Sequence, residues 1–497
     1  MLFSSMLFLW VFLPAVLIIN YLLGIIPFKE KARKIRAKNI FLLLASLLFY
    51  AWGGIYYLLL MLSSILLNFF GAYIVEKKMH TSKSKRTAFI TVIALNIAIL
   101  FFFKYFNMMI CIIESFLEIE QGVGIVLGNA LNLRGTGKLG IGEIALPIGI
   151  SFFTFQSMSY VIDVYRKKVK LQKNIVDFAL YVSLFPQLIA GPIVKYNDVA
   201  EQLENRRETL YLQVSGQKRF CYGLAKKVLL SNTFAQVADS IWALEVSTLG
   251  TPVAWLGIVS YTLQIYYDFS GYSDMAIGIG RMLGFQFKEN FDYPYTALSI
   301  QDFWRRWHIS LSSWFKEYVY IPLGGNRKGK LRTYLNLFIV FLLTGVWHGA
   351  NFTFIVWGLM YAVLLILERL FLGKWLQKNP VKIINWLYTM LFVIIGWVFF
   401  RSDNISQALT YLGQMFSFRD FGHNSVLTYL SMMFIVMFAV GILCFGALQR
   451  LLKKYYEKVK HRVPVLITDY LLQIAVLILS VLTLVGGTYN PFIYFQF

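Results

Sequence analysis

His348 stands at the end of an apolar run, in the segment Thr344-Gly-Val-Trp-His-Gly-Ala-Asn351. A helix rising about 1.5 Å per residue puts its imidazole about 24 Å beyond Arg332, deep in a bilayer. Ionisable groups at that depth are costly and usually functional. A histidine with an ordinary pKa near 6.5 can take a proton from an attacking hydroxyl, and burial keeps it neutral for that task. This is the chemistry of acyl transfer to an alcohol. A neutral ring that only bonds a neighbouring helix is the structural alternative.

His308 lies in Asp302-Phe-Trp-Arg-Arg-Trp-His308, where Arg305 and Arg306 favour a neutral ring and can hold a phosphate or carboxylate. A positioning role suits it better than that of principal base; a plain hydrogen bond at the interface is the alternative. His80, His423 and His461 fall in loops and are expected to be solvated. Asp268 and Asp274, in Tyr266-Tyr-Asp-Phe-Ser-Gly-Tyr-Ser-Asp274, are carboxylates among aromatics. They could orient a histidine, but structural pairing, with Arg281 or Arg305, is the expected role. The sequence has no GxSxG, HExxH, P-loop or EF-hand pattern, and no metal site is expected. Gly278-x-Gly280-x-x-x-Gly284 suits close helix packing better than phosphate binding. Cys111, Cys221 and Cys444 make an odd set in apolar segments, which argues against a disulfide framework.

The elements that position these residues follow from composition. The chain of 497 residues is 58% hydrophobic and 17% aromatic, with a mean hydropathy of +0.62, so its solvent must be the bilayer. The reading is all-α: a polytopic integral membrane protein with roughly eleven to thirteen transmembrane or re-entrant helices and no soluble module. The net charge of +22 comes in short blocks between apolar segments, which excludes a nucleic-acid stripe. Blocks such as Lys29 to Lys38, Lys77 to Arg86, Arg327 to Arg332 and Lys374 to Lys382 mark cytoplasmic loops. Ile40 to Val75 must then cross twice, turning at Gly53-Gly54. The pairs Leu335 to Trp347 with Phe352 to Phe371, and Ile383 to Phe400 with Leu427 to Ala447, cross likewise, and Val465 to Val485 exits outward. The first segment, Met6 to Ile26, has neither a basic leader nor a cleavage site and reads as a retained span. Pro147, Gly149, Pro186, Gly191 and Pro192 break the middle segments and point to a buried cavity. Ser299 to Tyr320 reads as one amphipathic helix in or against the membrane. No internal repeat is visible, which weighs against inverted-repeat transporters.

These segments resemble the membrane-bound O-acyltransferases, specifically the bacterial branch that takes part in alginate O-acetylation. The resemblance is strongest over Ala145 to Arg166, Phe185 to Tyr196, Tyr266 to Tyr295, Gln301 to Asn326 and Thr344 to Gly358. It implies that His348, in Val-Trp-His-Gly-Ala, is the catalytic histidine and that His308, in Trp-Arg-Arg-Trp-His-Ile-Ser-Leu-Ser, holds the second motif position, often Asn elsewhere in the family. It implies helices around a central tunnel where a cytoplasmic thioester meets an extracytoplasmic hydroxyl. Substrate contacts are expected from Trp304, Arg305, Arg306, Trp307, Trp347, Asn351, Asp268 and Gln187. One membrane-embedded domain is expected over 1–497, with peripheral helices in 1–120, a catalytic core in 145–372 and C-terminal helices in 383–497. No bound cofactor is implied; acetyl-CoA or another acyl thioester is the donor. The implied setting is a bacterial cytoplasmic membrane, with lipid around the chain and a secreted or anchored SGNH-type transferase as partner. A relative transferring D-alanine from a carrier protein is the alternative; Ile321-Pro-Leu-Gly-Gly-Asn326 favours the acetylating branch. A transporter or flippase of donor or glycan, and a docking scaffold for a secreted transferase, are the rivals outside enzymology.

Overall fold

The computed structural model describes residues 1–117, 134–135, 142–143, 146–189, 191–419, 425–487 and 489–493. His423 lies outside them, as do the side chain of Cys111 and residue Ala145. Helices run through the chain in the order α1 (Leu13–Ile25), α2 (Lys31–Ala51), α3 (Ile55–Tyr73), α4 (Ser82–Leu117), α5 (Ile150–Tyr165), α6 (Ile175–Ser183), α7 (Phe185–Leu188) and α8 (Tyr196–Asn205). They continue as α9 (Leu210–Ala225), α10 (Asn232–Trp242), α11 (Thr251–Met282), α12 (Ile300–Arg306), α13 (Ile309–Phe315), α14 (Lys330–His348) and α15 (Phe352–Leu367). The last are α16 (Gly373–Lys378), α17 (Lys382–Arg401), α18 (Ile405–Met415), α19 (Met432–Cys444), α20 (Ala447–Val459) and α21 (Val463–Gly486). A two-residue antiparallel ribbon pairs Arg134 with Glu143. The regular structure is otherwise helical among the described residues.

Among the described residues seven helices are long and apolar enough to cross a membrane, or eight if the pair α19 and α20, bent by 58°, counts as one span. The protein is a multi-pass membrane protein. The hairpin at Gly53-Gly54 forms as expected: Gly54 takes φ +141°, a value open to glycine, between α2 and α3. The middle of the chain is shorter and more broken, with α6 and α7 separated at Leu184 beside Pro186. Lipid tails are as apolar as leucine, so helices here must be held by close backbone approach. Glycines provide it. A Cβ on Gly216 would lie 2.5 Å from Gly278 O, and one on Gly223 would lie 2.7 Å from Gly271 O, so α9 and α11 cross with their backbones touching. Gly278 is thus a packing residue. The α14–α15 pair is built the same way at Gly345 and Gly358.

The segment Ser299 to Tyr320 departs from expectation. It is two short helices, α12 and α13, broken at His308, which takes a left-handed φ of +45°. Its face of Trp304, Trp307, Leu311 and Tyr318 is buried in the protein core rather than laid on the bilayer surface. The break has a local cause. The backbone amide of Ile309 donates to Asn290 O at 2.9 Å, which fixes the turn where a straight helix would continue.

Candidate active site

Three cavities meet the candidate residues. The first, about 480 Å³, lies along the middle of α14, from Leu337 to Thr344, and is lined also by Arg305, Lys316, Arg369, Ser312 and Trp304, among others. Its residue Asn326 adjoins the Arg327–Arg332 block, which the positive-inside rule assigns to the cytoplasm. The second, about 70 Å³, is at the opposite end of α14, where Lys104, Pro147, Gly149, Ser151, Trp347 and His348 line it. The third, about 20 Å³, lies between the two histidines, walled by Phe269, Trp307, Trp357, Trp397, Phe400 and Ile493. It has room for about one water-sized group. His348 borders both of the smaller cavities.

His348 is the last residue of α14, and its ring is gripped by aromatics: Trp347 at 4.8 Å, Trp357 at 4.9 Å and Phe400 at 5.0 Å between centroids. The close Gly345–Gly358 crossing sets where α14 ends. A second clamp comes from α4. The Lys104 ammonium donates to Trp347 O and the Tyr105 hydroxyl to Val346 O, carbonyls that a helix end leaves without partners. Trp304 packs on Trp357 at 5.6 Å, so these two indoles separate the basic cavity from the histidine.

His308 is fully buried, its ring edge-on to Phe269 at 4.7 Å and 6.2 Å from the Trp347 ring. Its Nδ1 meets Asn290 Oδ1 at 3.2 Å, and its Nε2 has no hydrogen-bond partner among the described residues.

The remaining expected residues divide. Trp304 and Arg305 line the basic cavity, Trp347 the second and Trp307 the third. Arg306, Asn351, Asp268 and Gln187 are not among the lining residues of these three. Arg306 is bound by Asp302 at 2.9 Å and Asp292 at 3.5 Å. Asn351 caps α15, accepting from Thr353 N at 3.0 Å, and donates to Asp403 O at 2.6 Å. Gln187 donates to Tyr181 O. Asp268 forms a buried ion pair with Lys227 at 2.5 Å and accepts from Ile493 N at 2.9 Å. Asp274 pairs with Arg219 at 2.6 Å and Lys226 at 2.7 Å. Pairing of both aspartates was expected, but their partners are these cations and not Arg281 or Arg305.

Sequence reasoning passed over Lys104, Tyr105, Asn290, Trp357 and the chain end. Lys104 had a visible signal, a lone cation in the apolar run Ile97 to Ile110. The chain end had none: Pro491 O accepts from Lys227 and Ile493 reaches the cavity between the histidines, a contact made only by tertiary folding.

The profile described as MBOAT, membrane-bound O-acyltransferase family, matches residues 149–406, which spans both histidines and every cavity-lining element from α5 to α17. The chain belongs to the membrane-bound O-acyltransferase family. Its similarity to curated relatives runs well beyond that region. It is 40% identical to the "Probable alginate O-acetylase AlgI" of Pseudomonas putida over the full length of both chains. It is 36% identical to the "Peptidoglycan O-acetyltransferase" of Helicobacter pylori over 84% of this chain and 80% of that one. To the "Teichoic acid D-alanyltransferase" of Bacillus subtilis it is 28% identical, over 51% of this chain and 66% of the other. As a family member it is an O-acyltransferase held in a membrane.

Proposed function

We propose that this membrane-bound O-acyltransferase passes an acetyl group from a cytoplasmic thioester to a hydroxyl of an extracytoplasmic glycan, with His348 as the general base. The single observation that carries the reading is the place of His348: one imidazole at the meeting of two cavities, about 28 Å along α14 from its basic start. The basic cavity supports the donor side, since Arg305, Lys316 and Arg369 can engage the phosphates of a CoA or carrier-bound thioester. Arg305 is the principal anion contact, because Arg306 is already neutralised by Asp302 and Asp292. The acyl arm passes the Trp304–Trp357 pair to reach the histidine.

In the reaction His348 removes the proton of the acceptor hydroxyl as its oxygen attacks the thioester carbonyl. The C–S bond then breaks and the thiolate takes the proton that His348 removed, which restores the neutral imidazole, and the free thiol leaves toward the basic cavity. His308, across the small cavity, positions the reacting group. Acetyl is favoured over D-alanyl because the acetyltransferase relatives are the more similar and match more of the chain. Their names also support a polysaccharide or cell-wall glycan as the final acceptor; a secreted SGNH-type transferase that completes delivery is part of the same proposal.

Vesicles holding the purified protein, loaded with acetyl-labelled CoA and offered an external glycan acceptor together with the secreted transferase, test this. Acetylated glycan outside with free thiol retained inside is the expected result. Intact labelled donor appearing outside, with no thiol formed, would make the protein a transporter.

A further inference from the structure

Asn290 bonds more than the histidine ring. It is fully buried in the stretch between α11 and α12. Its Oδ1 lies 3.2 Å from the backbone amide of Ser310, 2.9 Å from Ser310 Oγ and 3.2 Å from His308 Nδ1. Its Nδ2 donates to Ser273 Oγ at 3.0 Å. The amide of Ser310 can only donate, so the side-chain atom facing it must be the oxygen, and the orientation of the Asn290 amide is settled by the backbone. An oxygen that faces Nδ1 calls for Nδ1 to carry the proton, and the other neighbour of Nδ1, Ser310 Oγ at 3.4 Å, gives its own proton to the nearer Asn290 Oδ1. The lone pair of the neutral ring is then on Nε2, the atom left without a partner.

We infer that Asn290 is a positioning residue for His308: it fixes the Nδ1–H tautomer and the left-handed turn, and thereby presents an acceptor nitrogen to the cavity shared with His348. Two contacts from one residue achieve this. The Asn290 carbonyl accepts from Ile309 N, holding the break between α12 and α13, while its side chain selects the ring proton. The ring cannot turn over without giving up the Nδ1 bond, because Phe269 stands edge-on at 4.7 Å. An unpaired buried nitrogen is costly, and the cost is met where a ligand supplies the partner. The ligand that fits is a hydrogen-bond donor, the acceptor hydroxyl. Only that last step rests on the acyl-transfer reading; the tautomer does not.

The experiment has a spectroscopic arm and a kinetic arm, both on the full chain in lipid nanodiscs. With 15N-labelled histidine, the signals removed by His308→Asn are assigned to His308. In the wild type they should show a protonated Nδ1 and a bare Nε2, and Asn290→Leu should convert them to a tautomer mixture. A wild-type His308 protonated on Nε2 overturns the inference whatever the enzyme's activity. In the kinetic arm, Asn290→Leu should lower kcat about tenfold, the scale of one lost hydrogen bond. Asn290→Asp, which keeps every acceptor contact, should retain the tautomer and so keeps the test open if the leucine variant does not fold. The double variant Asn290→Leu with His308→Asn should be no slower than His308→Asn alone. Multiplying losses would mean that Asn290 acts apart from His308. Absence of thiol release by the wild type would count against the proposed function and leave the tautomer result standing.

Discussion

Replacing Gly345 by alanine should disable the enzyme without touching either histidine. The added methyl would stand 2.4 Å from Phe354 O, whereas ordinary contact begins at 3.4 Å, and the obstacle is backbone that cannot swing aside. Helices α14 and α15 must therefore part by about 1 Å, the shortfall in that contact. His348 follows Gly345 by less than one turn, so the displacement reaches its ring undiminished, and a misplacement of about 1 Å costs about 10²-fold in rate. Overpacking should also cost about 1–3 kcal/mol of stability. Gly358→Ala should behave alike, since its methyl would meet Phe341 O at 2.4 Å, while Gly413→Ala, with nothing within 4 Å, should be silent. The assay is thiol release from acetyl-CoA by protein in nanodiscs, below the thermal midpoint of each variant, beside a thermal unfolding curve. Wild-type turnover by a folded Gly345→Ala protein would refute the claim that this crossing places the histidine.

Lys227→Met should destabilise by about 3–5 kcal/mol, because it strands the buried Asp268 carboxylate, and Asp268→Leu added to it should recover much of the loss. Equal melting of single and double variants would show that the pair is not what matters. Arg305→Ala should raise the donor KM about tenfold with kcat held within about twofold, as expected for a lost charge-assisted bond, whereas Arg306→Ala should lower the unfolding temperature instead. Burial pushes the Glu317 carboxyl up, but hydrogen bonds from Lys195 and Lys168 outweigh it and hold the group below its usual range. A depressed folded value means stabilisation that is fully present above the unfolded pKa of about 4.3 and lost as the pH falls from there through the lower folded value. Glu317→Gln should then cost about 0.5–1 kcal/mol at pH 7, small because the side chain is one-third exposed, and progressively less as the pH falls below about 4; a pH-independent cost would contradict the pairing.

The sequence shows most where one residue decides alone. A histidine at the end of an apolar helix, a Gly-Gly turn between two helices and a glycine row on α11 each lie where their surroundings in the sequence put them. Ser299 to Tyr320 misled because its helical spacing is real on either side of His308, while the break comes from Asn290, eighteen positions earlier. Asp268 and Asp274 were legible as paired carboxylates, yet Lys227, Arg219 and Lys226 on or just beyond α9 become their partners only when that helix crosses α11. Arg305 and Arg306 are adjacent and chemically equal in sequence; Asp292 and Asp302 make them different.

The most direct test of the account is His348→Ala in the loaded-vesicle experiment, with insertion and folding checked against the wild type. The structure predicts that thiol formation and acetylation of the external acceptor both fall by at least about 10²-fold, the lower end of what a general base contributes. Acetylation of the external acceptor by folded His348→Ala protein at the wild-type rate would contradict it.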